Sequence, residues 1–312
     1  MPHHSASSRS GLLAIHLVAF LFGMTGILGS LIEADPGTIT FGRAAFAVLT
    51  LTPLLLLPQF QPRDKQHFKT STTQKGGAVD GVAPSIGYTL LSGTLLAVHW
   101  ITFFYSVKIA GVALATLGFS SFAAFITVIE WVISRQISRT DWLRTLGVTM
   151  GLVLMTPSWQ ITDQSTYGFL MGLASGLSFA AMAVVNSRKL AQNPPMLIAR
   201  NQNLIVALLL LPLAWPHLRE LSATSWLWLS VLGILCTGLS HSLFVYSLKR
   251  LRVNMAGLVV ALEPVYAIAV AWLLFAQTPE PRTLIGGVLI VGSILGVSAA
   301  TATRQASAGN SQ

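Results

Sequence analysis

A few ionisable and aromatic side chains interrupt the apolar stretches of this chain, and any chemistry would rest on them. Glu263 lies in the run Ala261-Leu262-Glu263-Pro264, about 11 residues into an apolar segment, or roughly 17 Å deep at helical rise. Hydrocarbon solvates no charge, so a carboxylate there must be paired, protonated or facing water. Glu263 is read either as a proton-titrating or amine-binding group, or as a neutral carboxyl bonding a neighbouring helix. Pro264 removes a helical N–H and predicts a kink. Arg43 and Arg200 each fall about one and a half turns into an apolar segment. They either snorkel to the headgroups or hold a substrate carboxylate, and Asn201 and Asn203 add polarity beside Arg200. His99, Trp100 and His241 sit in two further apolar segments, where a histidine is expected to face protein or water. Trp100 with Tyr88 and Phe104 could form an aromatic wall for an apolar or cationic solute; ordinary packing or an interfacial belt is the alternative. His16 and Asn186 are weaker candidates of the same kind, and Glu130, near Arg135, is read as a local structural group.

Elements long enough to bury these groups must be membrane helices. Apolar residues make up 53% of the 312-residue chain and charged residues 9%, far below the ~25% of a soluble domain. Such a chain cannot cover its own surface in water. The net charge of +9 is spread over short segments between apolar runs, which argues for cytoplasmic loops rather than nucleic-acid binding. The apolar stretches predict ten spans: 11–32, 37–58, 83–107, 110–134, 140–157, 167–187, 195–215, 225–248, 252–276 and 281–300. The first is too long for a signal-peptide core and is read as a retained span. With a cytoplasmic N-terminus, 14 of the 19 Lys and Arg fall inside and 3 outside, so both termini are expected in the cytoplasm. Residues 59–80 read as a cytoplasmic linker, and 1–10 and 301–312 as tails. The lone Cys236 allows no internal disulfide.

The chain also resembles itself. Tyr105-Ser106-Val107-Lys108 aligns with Tyr246-Ser247-Leu248-Lys249 at a shift of 141, and Val112, Ala115, Trp131 and Gly151 fall on Val253, Ala256, Trp272 and Gly292. Gly11, Phe22, Arg43 and Leu51 fall on Gly168, Phe179, Arg200 and Leu208 at a shift of 157. The expected domains are 11–157 and 168–300, each of five spans. Because five is odd, the second enters the membrane inverted, an architecture recurrent in transporters whose site lies where the halves meet. Gly147/Gly151, Gly168/Gly172/Gly176 and Gly292/Gly296 are read as close-packing devices, within the fold or in a homodimer.

The segment Ala261-Leu262-Glu263-Pro264-Val265-Tyr266-Ala267, followed by Trp272-Leu273-Leu274-Phe275 and Gly286-Gly287-Val288-Leu289-Ile290, resembles the EamA family of the drug/metabolite transporter superfamily. His99-Trp100-Ile101-Thr102-Phe103-Phe104-Tyr105 and Gly118-Phe119-Ser120-Ser121-Phe122 resemble the equivalent segments of the first half. The chain departs from the family pattern at Ala276-Gln277, Ala123 and Trp131. The resemblance implies an all-α fold of ten helices in two inverted five-helix units around a central cavity, and gradient-driven transport, often export of amino acids or related metabolites. A cationic-drug exporter of the same fold is the alternative. No H-E-x-x-H motif, cysteine nucleophile with a partner, or pair of membrane aspartates supports an intramembrane enzyme, and no G-x-x-x-x-G-K-[ST] loop supports an ATP-driven pump. An inverted repeat also argues against a channel. The expected setting is a bacterial inner membrane. The partners are a small-molecule solute and the bilayer, with protons the candidate coupling ion and no cofactor or metal.

Overall fold

The computed structural model describes residues 3–57, 86–135, 137–155, 163–275, 278 and 280–293. The linker 59–80, the dipeptide Ala276-Gln277 and Gly296 lie outside them. The described residues form helices joined by short turns, with no strand among them: α1 (His3–Leu31), α2 (Pro36–Leu56), α3 (Ile86–Ser120), α4 (Phe122–Ser134), α5 (Arg139–Met155), α6 (Asp163–Lys189), α7 (Pro195–Ala214), α8 (Ala223–Gly233), a π-helical turn Ile234–Leu239, α9 (Ser240–Leu248), α10 (Val253–Val260), α11 (Glu263–Phe275) and α12 (Pro281–Ser293). Eight helical stretches among the described residues are long and apolar enough to cross a bilayer. α5, at 17 residues, and α12 are shorter. Leu13, Leu49, Leu143 and Leu273 are each more than two-thirds exposed on the outside of the bundle. With apolar side chains outward and polar ones inward, the chain is a polytopic all-α membrane protein.

Helix boundaries differ from the hydropathy reading at three places, each for a local reason. α1 begins at His3 rather than Gly11, because a helix need not end where its apolar stretch does. The third and fourth spans join in one helical run broken at Gly111, whose φ of 81° admits the turn without a Cβ clash. The ninth span is not a kinked helix but two half-helices. The chain turns at Ala261-Leu262, and α11 starts at Glu263 with Pro264 in its first turn, where its missing N–H costs no helical bond. A break at Ser121 separates α3 from α4 at the repeat-equivalent position, since a shift of 141 carries Ser121 to Leu262.

The core is built across the halves. α3 lies along α6, α2 along α7, and α1 along α8–α9 and α11. Glycine sets the closest approach: Gly118 and Gly172 meet backbone to backbone, and a Cβ on Gly172 would lie 3.0 Å from the Gly118 Cα. Gly168 packs on Ala110, Gly176 on the backbone of Phe119, Gly147 on Ser293 and Gly151 on Gly286. These glycines of the expected motifs pack within the chain, whereas Gly292 faces open space.

Candidate functional site

Half-helix ends and one arginine converge on the middle of the bundle. A cavity of about 20 Å³, measured at the radius of water, is lined by Phe22 and Thr25 of α1, Arg43 of α2, His99, Trp100, Phe103 and Phe119 of α3, and Glu263 of α11. That space holds about one water and no solute of amino-acid size.

Arg43 is 2% exposed, and it does not snorkel. Its Nε donates to Thr237 Oγ1 at 2.9 Å and its Nη2 to the Cys236 carbonyl at 3.2 Å. The guanidinium lies over the Trp100 ring, 4.1 Å from its centroid, and 5.4 Å from that of Phe104. Its Nη1 is buried and has no hydrogen-bond partner. Glu263 is 3% exposed, and its Oε2 is likewise buried and unpartnered. The two groups face one cavity without an ion pair between them. Each keeps a buried polar atom unpaired, which is costly in a low-dielectric core unless a ligand or water meets it. Glu263 also opens α11, where the exposed N–H groups of the first turn favour a negative charge.

The histidines flank this centre. His99 Nδ1 lies 2.7 Å from Ser175 Oγ, and its ring packs among Phe119 and Phe179 at 4.9 and 4.8 Å. His241 stands behind Trp100, with ring centroids 6.3 Å apart. Gln202 Nε2 donates to Ser92 Oγ and to Asn186 Oδ1, each at 2.7 Å, so its Oε1 accepts from His241 Nε2–H, also at 2.7 Å. This buried chain crosses α3, α6, α7 and α9 and fixes the ring of His241. Two pairs of repeat-equivalent residues touch one another: Phe22 with Phe179, and Trp100 with His241.

The cavity thus unites Arg43, Glu263, His99 and Trp100, with His241 adjacent, and leaves the other expected site residues elsewhere. Arg200 is half-buried with an unpartnered Nε, and Asn201 beside it is half-buried. Tyr88 is 37% exposed near the start of α3, where the Lys189 ammonium lies 5.3 Å from its ring. His16 bonds Tyr266 Oη at 2.9 Å. Glu130 pairs not with Arg135 but with Arg188 of α6, through Nε–Oε1 at 2.9 Å and Nη2–Oε2 at 2.8 Å; Arg135 instead stacks on Trp131. A second ion-pair cluster joins buried Asp141 of α5 to Arg144 and to Arg252, just before α10. Thr237, Cys236 and Gln202 carry no motif that marks them in sequence. Their roles come from packing.

A sequence model of the EamA-like transporter family matches residues 9–156 and again 166–299. The chain belongs to the EamA-like transporter family. It is 25% identical over 288 residues to an uncharacterized transporter of Archaeoglobus fulgidus, covering 92% of this chain and 96% of that one. It is 24% identical over 292 residues to the uncharacterized transporter YwfM of Bacillus subtilis, covering 92% and 93%. A solved crystal structure superposes with a TM-score of 0.73 over 96% of this chain and 99% of the other at 17% identity, so the likeness extends to the fold. This EamA protein is a membrane transporter by family and by relatives.

Proposed function

We propose that this EamA protein is an alternating-access secondary transporter that exports amino acids or related zwitterionic metabolites. The Arg43–Glu263 cavity is its solute site. One observation carries the reading: a guanidinium and a carboxyl, each with a buried unpartnered polar atom, face one aromatic-walled cavity and leave each other unpaired. A solute with one carboxylate and one ammonium satisfies both, the carboxylate on Arg43 Nη1 and the ammonium on Glu263 Oε2. Trp100, Phe103 and Phe119 would cover its side chain. A purely cationic drug leaves Arg43 unmatched, which disfavours the multidrug reading.

In this reading ten spans form two inverted five-span repeats, with α5 and α12 as the fifth and tenth. Two end-to-end matches of one family model support the repeat. So does the contact of Phe22 with Phe179 and of Trp100 with His241, since equivalent residues meet at a two-fold axis. Both termini face the cytoplasm of a bacterial cell. The Glu130–Arg188 and Asp141–Arg252 pairs then close the cytoplasmic end across the two halves, and their opening admits solute from inside.

The test is counterflow in proteoliposomes with L-phenylalanine, L-leucine, phenethylamine and 3-phenylpropionate. Saturable exchange of the amino acids, with the two singly charged analogues weaker, is expected. Preferential exchange of phenethylamine would replace this reading with the cationic one, and conductance at channel rates would remove the carrier reading altogether.

A further inference from the structure

The acceptors that hold Arg43 come from a turn of helix wound differently from its neighbours. In an α-helix the amide of Ser240 would bond the Cys236 carbonyl, four residues back. Here it reaches Leu235, five back, and Thr237. The Cys236 carbonyl is turned instead to Arg43 Nη2. The wider turn also lets the Thr237 hydroxyl donate to the Leu232 carbonyl, five residues back, at 2.8 Å. Its proton is thereby committed, and its lone pair meets Arg43 Nε at 2.9 Å. Gly233 and Gly42 bring the helices close enough for this. A Cβ on Gly233 would lie 2.4 Å from Phe46 Cβ and 2.8 Å from the Arg43 carbonyl, and one on Gly42 would meet Leu229 at 2.9 Å.

Both acceptors are neutral. They fix the direction of the guanidinium and leave its full charge available, whereas a carboxylate in their place would cancel it. Trp100 supports the guanidinium face, so the geometry leaves Nη1 as the corner aimed into the cavity. The equivalent stretch of the third span, with Leu95 and Leu96 at the positions of Cys236 and Thr237, is ordinary helix within α3.

We propose that the π-helical turn Ile234–Leu239 is an arginine cradle, and that Thr237 is the positioning residue that aims Arg43 at the anionic group of the solute. This rests on the reading of Arg43 as the carboxylate-binding group.

The experiment uses the full chain with ¹⁵N-labelled arginine in detergent micelles. The Arg43 Nε–H resonance is identified by its absence in Arg43→Gln. Thr237→Val, which keeps the shape and removes the acceptor, is expected to speed exchange of that proton about tenfold or more, while Thr237→Ser keeps it protected. If Thr237→Val does not fold, Thr237→Ala makes the same comparison. Unchanged protection in the folded variant overturns the cradle, whatever solute the protein carries. In proteoliposomes, Thr237→Val should raise the KM for L-phenylalanine about tenfold with the maximal rate within about twofold. Inhibition by phenethylamine, which lacks a carboxylate, should stay as in the wild type. An equal loss for both compounds would mean that the variant only loosens the bundle, and would overturn the positioning role. If Arg43→Gln leaves phenylalanine exchange intact, the carboxylate reading of Arg43 falls, while proton exchange still decides the cradle.

Discussion

The two family-matched halves carry one plan and two chemistries. Arg43 and Arg200 occupy equivalent positions, yet Arg43 is buried over Trp100 in a cradle of neutral acceptors and Arg200 is half-buried outside the cavity. Phe122 and Glu263 are equivalent at the shift of 141. Each follows the break in its span, yet one is a wholly buried ring stacked on Phe119 and the other an unpartnered carboxyl facing Arg43. Trp100 is matched by His241, and the ordinary helix around Leu96 by the π-helical turn around Thr237. A duplicated scaffold keeps its packing rules, because helix contacts depend on shape. Its polar residues are free to differ, and under the proposed reading they must, because a solute with two unlike ends needs a cation on one side and an anion on the other.

The sharpest way to break the comparison is to remove each arginine in turn. Arg43→Gln is expected to lower the counterflow of L-phenylalanine by about 100-fold, as the loss of a charge-assisted, desolvated contact predicts. Arg200→Gln should stay within about threefold of the wild type, since Arg200 lies outside the cavity. Equal losses for both arginines would remove the distinction drawn between the halves. Glu263→Gln comes next: exchange of L-phenylalanine should fall about tenfold, and discrimination against 3-phenylpropionate, which lacks the amine, should vanish. Retained discrimination would take the ammonium away from Glu263.

Packing offers a third contrast. Gly233→Ala forces a Cβ against Phe46 and the Arg43 backbone and should cost about 1–3 kcal/mol in thermal unfolding in detergent. Gly292→Ala, with nothing within 4 Å of its Cβ, should stay within about 0.5 kcal/mol of the wild type. The smallest effect belongs to the ends of the helices. Glu130→Gln breaks a partly exposed ion pair and should cost at most about 1 kcal/mol in unfolding. Under the alternating-access reading it should also raise the labelling of a cysteine placed at Asn254 by a membrane-impermeant thiol reagent applied from the cytoplasmic side. Unchanged labelling would mean that this pair closes nothing.

Composition and periodicity alone establish the membrane as solvent, the helical class and the self-similarity, because hydrocarbon tolerates one local solution for a backbone and repeats survive as spacing. The family follows from motifs such as Ala261-Leu262-Glu263-Pro264, and the family model bears it out. Glu263 and Arg43 stand out in sequence because a charge inside an apolar run needs a reason. What sequence left open was which reason. Snorkelling and solute binding are both open to an arginine until the neighbours are known, and Thr237, Cys236, Phe119 and Glu263 lie 76 or more residues from Arg43 in the chain. Tyr88, read beside Trp100 on one span, lies away from the cavity because 12 residues of helix separate the two. Pro264 predicts a kink where the chain instead starts a new helix, since sequence marks the missing N–H but not which helix it falls in. The π-helical turn has no signature in Ile234–Leu239 at all. Only the tertiary fold, by pressing Gly233 onto the second span and offering Arg43 as a donor, makes the wider turn worth its lost α-helical bond.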